Sequence, residues 1–271
     1  MPELPEVETT LRGIAPHITE RTILECVLRT AKLRWPLDPS LRQLLPGQKI
    51  CSVERRAKYL LLRCDQGTII LHLGMSGSLR IVSAGTTEKK HDHVDLIFSN
   101  GQCLRLTDPR KFGAFIYTAT DPYTHKLLCR LGPEPLTADF SGDYLYGSAH
   151  GKKQTIKQFI MDQKTVVGVG NIYASEALFR AGIRPDRAAG RVGRNRYQIL
   201  SRAIKEILNQ AISAGGTTIS DFSQVDGKPG YFKQQLQVYS RSGEPCVVCG
   251  HSLHSQRLGQ RSTFYCPICQ R

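Results

Sequence analysis

The chain has 271 residues, 40% of them hydrophobic, and its 37 lysines and arginines outnumber 23 acidic residues for a formal charge of +14 and a pI near 9.5. That length and apolar share fit a two-domain soluble protein, and no run approaches the about 18 uninterrupted apolar residues of a membrane span. The charge points to a polyanionic partner and lies mainly in the second half, net +4 over residues 1–139 against +10 over 140–271. A basic surface serving only solubility is the plainer alternative. Cys26, Cys51, Cys64, Cys103 and Cys129 are scattered and odd in number, which excludes a disulfide framework and predicts a reducing compartment and ordinary buried thiols. An N-terminus carrying Glu3, Glu6 and Glu8 lacks the layout of a signal peptide.

Removal of Met1 would make Pro2 the amino terminus, directly beside the carboxylate of Glu3. An α-amine titrates about 2 to 3 units below a lysine, so much more of it is unprotonated and nucleophilic near neutral pH. The plainer reading is an extended leader into a helix. Pro5 suits a first helical position, Glu6 and Glu8 suit the positive helix end, and Val7, Leu11 and Ile14 recur on one face.

The remainder of the first half reads mostly as strands. Lys58 lies where a loop enters the apolar run Leu60-Leu61-Leu62, a place where lysines are ordinarily solvated. Ile69 to Leu73 precedes a glycine-rich turn that carries Met75. Val94, Leu96 and Phe98 alternate up to Asn100-Gly101, a hairpin signal, and Leu104 and Leu106 resume the alternation. Asp108 to Gly113 sets Arg110 two residues from Phe112, and a further strand is predicted from Phe112 to Tyr117. By default Met75 and Phe112 are core residues; alternatively, an aromatic or Met beside an arginine can enter a base stack and prop open an extruded nucleotide. Gly132-Pro133-Glu134-Pro135 breaks the pattern as a linker.

Helices dominate the second half. Tyr197 to Ser213 places Leu200, Ala203, Ile204, Ile207, Leu208, Ala211 and Ile212 on one face and stops at Gly215-Gly216. Thr155 to Asp162 and Ile172 to Ala181 read as two helices joined through a glycine turn at 168–170. That turn is either a plain connection or a set of backbone N–H groups for a phosphate. Cys246-Val-Val-Cys249 and Cys266-Pro-Ile-Cys269 stand sixteen residues apart, the pattern of a four-cysteine zinc site closed by a hairpin. Such a site has no open coordination position, so its single Zn2+ is expected to be structural.

Taken together, Pro2 to Thr9, Arg56-Ala57-Lys58-Tyr59-Leu60, Leu73-Gly74-Met75-Ser76-Gly77, Lys90-His91-Asp92-His93, Asp108 to Gly113, Gly168-Val-Gly-Asn171-Ile-Tyr173 and the cysteine finger resemble the formamidopyrimidine-DNA glycosylases, in that family's order and from Pro2 to Cys269. The resemblance implies that Pro2 attacks C1′ of a damaged nucleotide, with Glu3 as general acid and base at the sugar. It implies that Lys58 donates a proton in base release and β-elimination, and that Arg261, between the cysteine pairs, does so in δ-elimination. His91, Arg110, Lys152, Lys157 and Asn171, with Tyr173 beside them, match positions at DNA phosphates. Met75, Arg110 and Phe112 match a triad that fills the gap and faces the orphaned base, where an arginine can reach a cytosine edge. Glu6 resembles a pocket residue near the flipped base, and a base-binding loop is expected around Gly216 to Tyr231.

The implied function is a bifunctional DNA glycosylase and AP lyase, acting through a proline Schiff base on oxidised purines such as 8-oxoguanine and formamidopyrimidines in double-stranded DNA. It is expected to be monomeric, cytoplasmic and nucleoid-associated in a bacterium, with no membrane partner. Two alternatives stand: an endonuclease VIII-like enzyme for oxidised pyrimidines, disfavoured by the Met75 loop and the Arg110/Phe112 pair, and a noncatalytic zinc-finger DNA-binding protein, which leaves Pro2-Glu3 and Lys58 unexplained. The fold class expected is α+β. A two-sheet β-sandwich with flanking helices (residues 1–132) is followed by a linker (133–139), a helix-two-turn-helix domain (140–236) and a zinc-finger β-hairpin (237–271).

Overall fold

The computed structural model describes residues 2–216 and 232–271. Their contacts divide into two compact units, one built on the stretch up to Cys129 together with residues 214–216, the other on 130–213 and 232–271.

The first unit opens with helix α1 (Leu4–Ile18), in which Pro5 takes the second position and the Glu3 N–H donates to Glu6 Oε2 at 2.8 Å in the manner of a capping box. Strand β1 (Ile23–Leu28) and the short helix α2 (Leu41–Leu44) follow. Then come β2 (Ile50–Arg56), β3 (Tyr59–Cys64), β4 (Gly67–His72), β5 (Ser78–Ser83), β6 (Asp92–Phe98), β7 (Gln102–Thr107) and β8 (Ala114–Thr118). They form two antiparallel four-stranded sheets ordered β1-β6-β7-β5 and β2-β3-β4-β8. The period-two alternation decides what faces inward. Leu60, Leu62, Ile69 and Leu71 from one sheet meet Val94, Leu96, Leu104 and Leu106 from the other in a single core that also takes Val7 and Ile14 of α1. Helix α1 packs along β2 and β5, an edge strand of each sheet, so it covers the open side of the sandwich.

Asn100-Gly101 turns β6 into β7, with Gly101 at φ +76°, as the hairpin signal predicts. The last strand starts at Ala114 rather than Phe112, because Phe112 and Gly113 belong to the loop that Asp108 organises.

In the second unit α3 (Gly142–Ala149), α4 (Ile156–Met161), α5 (Asn171–Arg180) and α6 (Arg194–Ser213) precede a hairpin of β9 (His254–Leu258) and β10 (Arg261–Tyr265). Thr155 caps α4, its hydroxyl accepting from the Gln158 N–H, and Asp162 ends it, as its sequence predicts. The apolar stripe of α6 is buried. A small separate core of Phe179, Val238, Leu253, Cys246 and Cys266 seats the cysteine finger on α5. Two sheets, a helical region and a four-cysteine hairpin bear out the α+β reading.

Candidate active site and nucleic-acid interface

Three side chains expected to carry chemistry and the expected pocket residue Glu6 lie in the first unit and are withdrawn from solvent: Pro2 is buried, Glu3 is 3% exposed, Glu6 1% and Lys58 7%. A lysine with that little exposure is not the solvated loop cation that its neighbourhood in sequence suggests. Adjacency holds the Glu3 carboxylate beside Pro2, and the Glu6 carboxylate fixes the Glu3 backbone. Glu6 also meets the start of the expected base-binding loop. A Cβ on Gly216, whose φ is +80°, would stand 3.2 Å from Glu6 Oε1, so only glycine fits there without adjustment. The remainder of that loop, 217–231, lies outside the described residues.

Lys58 sits on a two-residue turn between β2 and β3, after Ala57 at φ +56°. The turn is tied to α1: Arg55 Nε donates to Glu8 Oε2 at 2.9 Å while Arg55 Nη1 donates to the Ala57 carbonyl at 3.0 Å.

Past β4, two loops lie against each other. A Cβ on Gly74 would come within 2.5 Å of the Phe112 backbone, and one on Gly113 within 2.7 Å of the His72 carbonyl, which explains glycine at both places. Asp108, fully buried, joins them by accepting from Ser76 Oγ (3.1 Å), Arg110 N–H (3.3 Å) and Gly113 N–H (2.7 Å). Its carbonyl accepts from the His93 ring at 3.0 Å, and its N–H donates to the His91 carbonyl. Met75 and His91 are half-buried. Phe112 is 43% exposed with the Arg110 guanidinium 4.9 Å from its ring centroid, so the default of a core phenylalanine is corrected: tethering by Asp108 turns it outward.

His72 escaped the sequence reading. Its Nδ1 accepts the Gly74 N–H at 3.0 Å and its ring lies 4.8 Å from that of Tyr59. Burial, then the charges of Lys58 and Arg34, lower its pKa to about 4, so the ring is neutral at physiological pH. Its place immediately before the Met75 loop was the available signal.

In the second unit Lys152 and Arg261 are exposed, Arg261 opening β10 opposite Leu258. Asn171 begins α5 and donates through Nδ2 to the Ser262 carbonyl at 3.0 Å, while its Oδ1 is buried without a hydrogen-bond partner. Lys157 and Tyr173 are each 1% exposed. The Lys157 ammonium donates to the Ser262 carbonyl (3.1 Å) and to Thr263 Oγ1 (2.8 Å), and the Tyr173 ring packs 5.8 Å from Phe232. Both side chains are therefore buried, Lys157 against the hairpin and Tyr173 against Phe232. Glu176, also missed from sequence, accepts the N–H groups of Gln237, Val238 and Tyr239 at 2.8–2.9 Å and so pins the segment that leads into the finger.

The Sγ atoms of Cys246, Cys249, Cys266 and Cys269 all lie within 4.8 Å of one another. Burial raises the Cys246 thiol, but backbone N–H groups of Cys249 and Val248 outweigh it and bring the pKa down to about 7. Burial and the adjoining sulfurs push Cys266 and Cys269 up. A cluster in which Cys246 ionises readily while Cys266 and Cys269 resist is what a divalent cation relieves, and four sulfur donors suit zinc. Of the other five cysteines, Cys26, Cys64 and Cys103 are buried and pushed up to about 11–12 by that burial, whereas Cys51 and Cys129 are exposed, contrary to the expectation of buried thiols throughout.

A sandwich with a buried proline-glutamate terminus, a glycine turn opening a helix and a four-sulfur finger together define the class of zinc-binding, DNA-processing proteins. Residues 1–115 match the formamidopyrimidine-DNA glycosylase N-terminal domain, 131–223 its H2TH domain, and 243–271 the zinc finger found in FPG and IleRS. The chain is 57% identical to the formamidopyrimidine-DNA glycosylase of Idiomarina loihiensis and 55% to that of Methylococcus capsulatus, covering 100% of both chains in each comparison. Among solved structures it is similar to MutM (FPG) from Thermus thermophilus, with 36% identity, TM-score 0.87 and coverage of 99% and 98%. It is also similar to a Lactococcus lactis FPG variant in complex with Fapy-dG-containing DNA, with 33% identity, TM-score 0.92 and full coverage of both. The chain belongs to the formamidopyrimidine-DNA glycosylase family.

Proposed function

We propose that the protein is a base-excision-repair enzyme that removes oxidised purines from duplex DNA and then cuts the strand. One observation carries this reading: Pro2, Glu3 and Lys58 are all withdrawn from water in one compact unit, with the lysine's turn tied to the helix that follows the proline. Burying a carboxylate and an ammonium serves no packing purpose and, with a proline that becomes an amine once Met1 is removed, matches the needs of nucleophilic and acid-base catalysis.

With Met1 removed, the Pro2 nitrogen attacks deoxyribose C1′. The base departs with the electron pair of its glycosidic bond as Lys58 supplies a proton. As the nitrogen gives up its proton to solvent, its lone pair closes a C=N bond while the C1′–O4′ bond breaks and O4′ takes a proton from Glu3; the iminium so formed is cationic without protonation and acidifies C2′. Glu3 takes the C2′ proton and the 3′ phosphate leaves; Arg261 serves the second elimination, in which the 5′ phosphate leaves. The zinc, when bound, holds the hairpin rigid, and Lys157 and Asn171 brace the same hairpin from the helices. Exposed Lys152 and Arg110 and half-buried His91 bind phosphates, and Met75, Arg110 and Phe112 enter the gap left by the extruded nucleotide. Glu6 lines the base pocket.

The proposed segments are a catalytic sandwich (1–132), a linker (133–139), a helical DNA-binding region (140–236) and the finger (237–271). Action as a monomer on nucleoid DNA in the bacterial cytoplasm is consistent with the basic charge. Among the described residues no helix is long and apolar enough to cross a membrane. Excision assays on matched duplexes test the substrate class. Release of 8-oxoguanine in preference to thymine glycol is expected, and the reverse preference would move the protein to the pyrimidine-acting branch.

A further inference from the structure

The turn that presents Lys58 is built on a residue ill-suited to its backbone. Ala57 stands at φ +56°, in the left-handed region that disfavours any residue with a Cβ and that tight hairpins ordinarily give to glycine, asparagine or aspartate. Such a conformation persists only where its surroundings over-determine it. Here Arg55 Nη1 donates to the Ala57 carbonyl at 3.0 Å while Nε of the same guanidinium donates to Glu8 Oε2 at 2.9 Å. The pair is largely desolvated, the two side chains being 11% and 19% exposed, and is better held than a surface ion pair. Burial would raise the Glu8 carboxyl, but the hydrogen bonds from Arg55 and Arg12 prevail and hold it below the usual carboxylate range, so it stays charged at neutral pH.

We propose that Arg55 is a positioning residue for Lys58. By bridging the strained Ala57 carbonyl to Glu8, it fixes the lysine's turn against the helix that Glu3 caps and that follows Pro2. The planar fork of a guanidinium serves both acceptors at a set geometry, which a lysine ammonium in its place does not reproduce. This deepens the proposed reaction and rests on the assignment of Lys58 as the proton donor in base release.

The test uses zinc-loaded protein that begins at Pro2 and five variants: Arg55→Lys, Arg55→Met, Lys58→Met, the Arg55→Met/Lys58→Met double, and Arg55→Lys combined with Ala57→Gly. Each is measured for thermal midpoint, for Kd on duplex with an uncleavable abasic analogue, and for the single-turnover rate constant of 8-oxoguanine release. Misplacing the donor is expected to slow release about tenfold in Arg55→Lys and Arg55→Met alike, with Kd changed less than about twofold. The double variant should be no slower than Lys58→Met, because both changes disable one function. Adding Ala57→Gly to Arg55→Lys makes the turn conformation strain-free and should recover at least about threefold of the rate. Arg55→Lys releasing base at the parent rate, a multiplicative loss in the double variant, or no recovery with glycine would each overturn the tether. Because Arg55→Lys keeps the charge, it decides the matter even if Arg55→Met does not fold. Full-rate release by Lys58→Met would instead sink the assignment of the lysine itself, and a slow Lys58→Met beside a fast Arg55→Met would sink the tether alone.

Discussion

At the scale of single residues, exposure distinguishes an aromatic turned outward from one committed to the core. Phe112 is 43% exposed and packs under Arg110, outside the sandwich core. Phe112→Ala is therefore expected to shift stability by no more than about 0.5 kcal/mol in thermal unfolding, against about 3–5 kcal/mol for truncating a core phenylalanine. Lesion excision should nevertheless slow at least about tenfold as the propped gap closes; an unfolding penalty of core size would return Phe112 to a packing role. Ala57 is a second informative residue, since its left-handed backbone costs about 1–2 kcal/mol that the surrounding contacts must offset. Pro2, Glu3 and the cysteine pairs were readable because covalent adjacency and C-x-x-C spacing fix their geometry before folding. Lys157 and Tyr173 were not. Their sequence neighbourhood is that of surface residues beside a glycine turn, and only tertiary packing buries them. His72 was hidden for the converse reason, reading as an ordinary end of strand β4 until its ring nitrogen was seen to hold Gly74.

Among the elements, the cysteine hairpin and the β6–β7 pair make the sharpest predictions. Cys249→Ser removes one of four clustered sulfurs. The variant should lose stoichiometric zinc and bind duplex DNA about tenfold or more weakly, as read by metal analysis and titration; unchanged affinity in a zinc-free variant would remove the finger from recognition. In the sandwich, Asp95 on β6 accepts from Arg105 on β7 and from Arg29 at 2.8 and 2.7 Å. Burial would raise its carboxyl, but those hydrogen bonds overcome it and keep the pKa below the ordinary 3.8. A folded value below the unfolded one means the stabilisation is complete above pH 3.8 and drains away as pH falls through the depressed value. Asp95→Asn should melt lower at pH 7, and its melting temperature should fall less steeply than the parent's between about pH 4 and pH 2; parallel acid limbs would contradict that account. Strands with clean alternation and helices with caps were legible, as β6, β7, α4 and α6 illustrate. Strands β2 and β5 were not, because edge strands expose both faces in part and lose the period-two signal. Helix α3 was missed since Gly142 and Gly147 dilute its propensity, and only Ser141 capping from outside marks its start.

For the whole molecule, charge and chemistry act on different quantities. On the proposed reading, the net +10 of residues 140–271 supplies affinity that any duplex enjoys, with exposed Lys152 part of it. Lys152→Gln should weaken binding to damaged and undamaged duplex alike and reduce the slope of log K against log salt by about 1; a loss confined to damaged DNA would contradict a phosphate role. None of this electrostatic grip breaks a bond. The central claim is that the imino nitrogen of Pro2 does so, and borohydride trapping on 8-oxoguanine duplex tests it most directly. Protein verified by mass to begin at Pro2 is predicted to yield a reduced one-to-one covalent adduct with the DNA. A Pro2→Gly variant or a chain retaining Met1 should give a small fraction of that adduct or none. Absence of adduct from the processed protein, or equal adduct from the Met1-blocked chain, would contradict the account.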